Sequence, residues 1–306
     1  MSKVLSELVE QLALERIEEN LFRGQSQDLG WPAVFGGQVL GQALSAAVQT
    51  VPSERHVHSL HAYFLRSGDV SKPIVYDVDR IRDGKSFTTR RVVAIQSGRP
   101  IFTMAASFQV QEPGYSHQDP MPEVPPPEDL ENDEEHFEKL ARLEPTVPSV
   151  LARLRERPFE LRTVNKLDHA VTPSPTPAQR LIWMRAVASL ASDSPQLHAY
   201  LLAYASDFSF VTTALQPHGV TLHAPGMQVA SIDHVIWFHR PFRVDDWLLY
   251  AIDSPSSSGA RGLVRGSVYT RDGTLVASTA QEGLLRMHER SDASSPPPPA
   301  RNDGGS

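Results

Sequence analysis

The sequence predicts an α+β protein made of two tandem copies of one unit, a helix followed by an antiparallel sheet. Two observations carry this prediction. Short blocks of alternating or clustered hydrophobes, bounded by turn residues, follow a segment of small residues with helical character. The same pattern then returns about 174 residues later. Phe64-Leu65-Arg66 reappears as Phe238-His239-Arg240, and Tyr76-Asp77-Val78-Asp79 as Tyr250-Ala251-Ile252-Asp253, both at an offset of 174. The turn pairs Ser97-Gly98 and Asp272-Gly273 stand 175 apart, so one residue has been inserted between the copies.

In chain order, Leu5, Leu8, Val9 and Leu12 recur at helical spacing among Glu7, Glu10 and Glu15, the pattern of a surface amphipathic helix. Gly36 to Ala47 is helical, mostly small and apolar, and is expected to be buried on nearly every side. Four strand blocks follow, His56 to Leu65, Pro73 to Ile81, Ser86 to Gln96 and Ile101 to Val110, and read together as a meander. Gly84 and Gly98 are expected to supply the positive φ that tight hairpins require. Pro113 to Glu131 is proline-rich and acidic, Gly114 to Glu135 is expected to be a surface linker, and Glu134 to Leu143 a short helix. Pro158 to Val164 and Gln179 to Ala186 are the opening strands of the second copy. Its helix starts at the N-cap Ser194 and Pro195 and carries a stripe of Leu197, Leu201, Tyr204 and Phe208. The expected division is 1–112 for the first copy, 113–157 for the linker, 158–288 for the second copy, and 289–306 for a proline- and Gly-Ser-rich disordered tail.

Composition excludes several classes of function. With 36 acidic against 29 basic residues and a formal charge of −7, the chain is no general nucleic-acid binder, which needs a surplus of Lys and Arg. It has no cysteine, hence no disulfide, thiolate nucleophile or zinc-thiolate site. No run is long enough to span a membrane, and Met1 to Glu19 lacks the apolar core of an export signal, about seven to fifteen residues. A cytoplasmic protein is the expectation. Phosphate-binding loops of the Gly-x-Gly-x-x-Gly or Walker type are absent, as is the Gly-x-Ser-x-Gly of serine hydrolases.

Three features of the residues bear on chemistry. His56 and His58 share one strand face, but a pair with no third ligand nearby makes a poor metal site, so packing or a polar hydrogen bond is the preferred role. Asp207 is read as late in an otherwise apolar helix, Leu201 to Phe208, flanked by aromatics, where it serves either as a helix-terminal or loop cap or as a partly desolvated general base with a raised pKa. Gln281 is an amide inside the strand Leu275 to Leu285, either a satisfied core group or one that orients a water.

The chain resembles the type II acyl-coenzyme A thioesterases over roughly residues 5 to 288. The segments that carry the resemblance are Phe22-Arg23-Gly24, Val34 to Ala43 (VFGGQVLGQA), Val57 to Arg66 (VHSLHAYFLR), Arg82 to Phe87 (RDGKSF), Ser231 to Pro241 (SIDHVIWFHRP) and Gln281-Glu282-Gly283. It implies a double hotdog, two long helices each wrapped by an antiparallel sheet. It further implies an acyl-CoA substrate, no cofactor, no metal, and catalysis by Asp207, Ser231 and Gln281, with Ser231 standing where the best-known members have Thr. Asp207 would deprotonate a water that Ser231 and Gln281 orient, while backbone N–H groups at a helix N-terminus hold the oxyanion. Gly36 and Gly37 are candidates for bringing such donors to the substrate, or serve close packing instead. His58 is a further candidate for ligand contact. A homo-oligomer, dimer or tetramer, is expected. The rival expectations are a non-catalytic acyl-CoA binding or regulatory protein and a hotdog enoyl-CoA hydratase, the latter disfavoured because no His follows closely on Asp207.

Overall fold

The computed structural model describes residues 2–143, 157–164, 174–208 and 210–288. The expected tail at 289–306 and most of the segment joining the copies beyond residue 143 lie outside the described residues. Four helices, α1 (Lys3–Leu12), α2 (Gly36–Val48), α3 (Asp133–Leu143) and α4 (Pro195–Ala205), accompany thirteen strands among them. The first unit contains β1 (Glu15–Glu18), β2 (Leu21–Gly24), β3 (Arg55–Phe64), β4 (Ile74–Asp83), β5 (Phe87–Gln96) and β6 (Arg99–Val110). The second contains β7 (Phe159–Thr163), β8 (Gln179–Ala186), β9 (Met227–Ser231), β10 (Asp233–Phe238), β11 (Leu248–Ser258), β12 (Arg261–Thr270) and β13 (Leu275–Met287). No helix among the described residues is long and apolar enough to cross a membrane.

The strands run in the order β1-β2-β4-β5-β6-β3 and then, in mirror sequence, β10-β13-β12-β11-β8-β7, with β9 added to β13. This is one continuous antiparallel sheet made of two hotdog units. It corrects the simple meander, because β3 pairs with β6 and not with its chain neighbour β4. The reason is α2, which precedes β3 and lies under the sheet, so β3 closes the far side of the unit. There it becomes the seam with β10, where His61 pairs with Val235, the residue 174 positions later. A pseudo-two-fold axis therefore passes through that pair. The duplication reaches side-chain detail: Arg91 and Asp79 form an ion pair at 2.9 Å on the outer face, and their counterparts Arg265 and Asp253 form one at 2.5 Å.

Burial follows the strand period of two. In β5, Thr88, Arg90, Val92, Ala94 and Gln96 face inward and are buried, and in β12 Gly262, Val264, Gly266 and Val268 do the same. The inner faces close over α2, in which every residue from Gly37 to Ala47 is buried, as its small apolar composition predicts. α2 and α4 cross antiparallel at very close range. A Cβ on Gly41 would lie 3.1 Å from the Tyr200 carbonyl oxygen, and one on Gly37 only 2.2 Å from that of Tyr204.

Three local expectations are altered. Gly98 does take positive φ, at 73°, but Gly84 does not; it is needed because a Cβ there would meet the Phe87 carbonyl at 2.8 Å. Ser194 sits at the N-cap of α4 without capping it, its hydroxyl donating to Gln196 Oε1 at 2.9 Å. The proline-rich stretch after β6 does not hang free. Gln118 donates to the Gly273 carbonyl, Trp183 donates to that of Pro125, and Glu128 accepts a two-pronged bond from Arg271. Met121, Val124 and Leu130 cover a second apolar cluster of Leu181, Trp183, Trp247, Leu249 and Tyr269 on the second unit's outer face.

Candidate active site

α4 ends at Ala205, so Asp207 lies just past the helix rather than within it. The side chain is 7% exposed. Facing it is the N-terminus of α2, contributed by the first unit. A Cβ on Gly36 would stand 2.7 Å from Asp207 Oδ2, and the Gly37 N–H donates to the carboxylate. Glycine is required at both positions for this approach, and the positive end of the helix favours the ionised acid. Burial nevertheless dominates and pushes the Asp207 pKa up to about 7, with the Gln281 and Gly37 hydrogen bonds opposing it.

Ser231 closes β9, and the single residue Ile232 separates it from β10. This break is pinned to β13 at Glu282, whose carbonyl accepts from Ile232 N–H and whose N–H donates to Asp233 Oδ1 at 2.6 Å. Ser231 thereby stands opposite Gly283, where a side chain would collide with Val211 at 2.3 Å. The Gln281-Glu282-Gly283 run thus has a geometric meaning for each residue. Gln281, buried to 1% exposure, places its Nε2 at 3.2 Å from Asp207 Oδ1 and 2.5 Å from Ser231 Oγ. Two oxygens bonded to one nitrogen lie roughly 5 Å from each other, a span one water bridges with hydrogen bonds of about 2.8 Å.

Asp207, Ser231 and Gln281 are therefore assembled from three separate elements of the second unit, with Gly36 and Gly37 arriving from the first. His58 is not brought to them. Its Nε2 is 2.8 Å from Ser107 Oγ and its ring stands edge-on to Phe87. It sits six residues, roughly 20 Å of strand, from Phe64, the β3 residue that touches Gly36. Among the described residues no His, Cys, Asp and Glu cluster could hold a metal.

One member of the cluster carried no expectation. His234 on β10 is fully buried, with Nε2 2.9 Å from Ser206 Oγ, Nδ1 3.0 Å from Gln281 Oε1, and Nδ1 3.9 Å from Asp207 Oδ1. Burial lowers its pKa to about 4, so the ring is neutral. The signal for it was in the strand alternation: His234 shares the buried phase of β10 with Ile236, where a polar residue needs a reason.

The chain matches a family model described as acyl-CoA thioesterase over residues 158–284 and another described as acyl-CoA thioesterase N-terminal domain over residues 27–109. It is 45% identical to acyl-CoA thioesterase 2 of Haemophilus influenzae over 94% of this chain and 100% of that one. To human acyl-coenzyme A thioesterase 8 the identity is 42%, over 90% of this chain and 88% of the relative. Among solved structures, acyl-CoA thioesterase II TesB2 from Mycobacterium marinum is 43% identical and superposes with a TM-score of 0.75, covering 92% of this chain and 98% of that one. With full-length identity at this level and both units matched, the chain belongs to the type II acyl-CoA thioesterase family.

Proposed function

We propose that this protein hydrolyses acyl-CoA thioesters to a free acid and coenzyme A, using a water activated by Asp207 and oriented by Ser231 and Gln281. The observation that carries the reading is a nearly buried carboxylate with a pKa near 7, joined through one amide nitrogen to a serine hydroxyl at a water's span. Ser231 Oγ accepts from Gln281, which leaves its own proton to point at the lone pair of a bridging water. That water donates to Asp207, so its other lone pair faces the thioester carbonyl carbon. Attack forms the C–O bond as Asp207 takes the proton. Collapse breaks the C–S bond, and the proton passes to the departing thiolate, which needs little help as a leaving group. The Gly36 N–H, at the first turn of α2, is the proposed donor to the oxyanion, since the Gly37 N–H is committed to Asp207.

A hydratase would present a His to substrate beside the acid. Here His234 approaches Asp207, but from a strand, wholly buried and with both nitrogens engaged, which favours hydrolysis. Incubation with saturated acyl-CoAs of graded length and a thiol reagent, beside an enoyl-CoA absorbance assay, tests the reading. Thiol release with no loss of enoyl absorbance is expected. Binding without thiol release at every chain length would make the protein a non-catalytic binder, and loss of enoyl absorbance would make it a hydratase. The proposal extends to a cytoplasmic location and to a homo-oligomer, the latter supported by exposed Tyr63 and Trp237 beside the β3–β10 seam and checked by sedimentation.

A further inference from the structure

We propose that His234 is a positioning residue for this hydrolysis: its Nδ1–H holds the Gln281 side chain in the one orientation that turns both amide protons toward Asp207 and Ser231. The inference rests on the water-activation reading above.

The pseudo-symmetry shows what packing alone asks for at these positions. Through the 174-residue offset His234 corresponds to Leu60, and through the 175-residue offset of the last strands Gln281 corresponds to Ala106; both are buried in the first unit. The same sheet positions are filled there by apolar side chains. Burying an imidazole and an amide in their place costs free energy unless each polar atom is matched, and here they match one another.

The pairing fixes the protons. An ionised Asp207 only accepts, so the Gln281 nitrogen must face it and Oε1 must face His234. Because Oε1 only accepts, the ring proton is on Nδ1. Nε2 of the neutral ring is then an acceptor, and the single hydroxyl proton of Ser206 goes to it, although Ala203 O lies at a similar 3.0 Å. The Ser206 carbonyl in turn accepts from Tyr250, whose oxygen is also 2.8 Å from Thr279 Oγ1. The relay runs from the end of α4 through the β10 imidazole to the β13 amide. Reversing the amide would set Oε1 against the carboxylate and leave Ser231 without its donor. A neutral ring also adds no cation at 3.9 Å from Asp207, which would otherwise weaken the base.

The test compares His234→Asn and His234→Gln with Gln281→Ala by steady-state kinetics on one saturated acyl-CoA. An Asn amide nitrogen falls near the place of Nδ1, whereas a Gln amide nitrogen falls near that of Nε2. His234→Gln is expected to lose about thirtyfold or more in kcat with KM within about twofold, and His234→Asn to recover most of that loss. Equal kcat values for the two, or a better Gln variant, would overturn the assignment. If Gln281→Ala is crippled while His234→Gln is not, only the positioning role falls. If Gln281→Ala stays within about threefold of the parent, the water reading falls and this inference with it. A second readout needs no active variant: in 15N-histidine-labelled parent protein, the ring that vanishes in His234→Asn should show the Nδ1–H tautomer at neutral pH. An Nε2–H pattern would end the proposal.

Discussion

Gly37 and the carbonyl oxygen of Tyr204 meet so closely that a methyl group on Gly37 would stand 2.2 Å from the oxygen. In an exposed helix, Gly→Ala gains about 1 kcal/mol. At this contact the clash is with backbone, which cannot turn aside, and overpacking of about 1–3 kcal/mol wins. Gly37→Ala is therefore expected to lower the melting temperature. It should also lower turnover, because parting α2 from α4 withdraws the Gly37 donor from Asp207. A variant with parental Tm and turnover would show that the two helices slide freely.

Asp207→Asn is expected to fold and to lose thioesterase activity by about a hundredfold or more, the scale of a missing general base. In the parent, kcat should rise through a pKa near 7 as the carboxylate ionises. Stability should move the other way. The folded-state pKa lies above the ordinary 3.8, so the native protein binds the extra proton between the two values and loses stability as pH rises through that window. Asp207→Asn removes the penalty, and its Tm should exceed that of the parent at pH 8 while matching it near pH 4. Calorimetry across that range checks the sign.

Ser231→Ala and Gln281→Ala should each lower kcat more than they raise KM, since orienting a water matters chiefly in the transition state. Their shared hydrogen bond makes the double variant cost less than the two singles together. A full cycle with kcat and KM fitted separately decides this, and strict additivity would mean that the two side chains do not hold one water.

The first unit carries Leu60 and Ala106 where the second carries His234 and Gln281. A non-hydrolysable thioether analogue of acyl-CoA should therefore titrate one site per chain in calorimetry. Two equivalent sites would contradict the assignment of the chemistry to the second unit.

The fold was legible where period and burial agree. α2 announced itself by a run of mostly small and apolar residues, and β5 by the hydrophobe block Val92 to Ile95 ahead of a turn. The β1–β2 hairpin went unread because all four residues of β1 are exposed, leaving no apolar phase to detect. The partner of β3 was misread because strand neighbourhood across a helix is a non-local property, written in no single segment. In the site, Asp207 stood out as a lone carboxylate among aromatics, but its link to Ser231 and Gln281 came from the family resemblance. Residues 24 and 74 positions away along the chain share no local pattern with it. His234 lay in a motif already singled out, yet its role depends on a tautomer that only contacts reveal.

The seam at His61 and Val235 ties the two halves into unequal partners. Phe64 of the first half donates its N–H to the Ile232 carbonyl beside Ser231, and Gly37 of the same half reaches Asp207. The groups proposed to react stand on the second half, and part of the ground beneath them belongs to the first. A substitution in the first half can therefore reach the proposed chemistry without touching Asp207, Ser231 or Gln281.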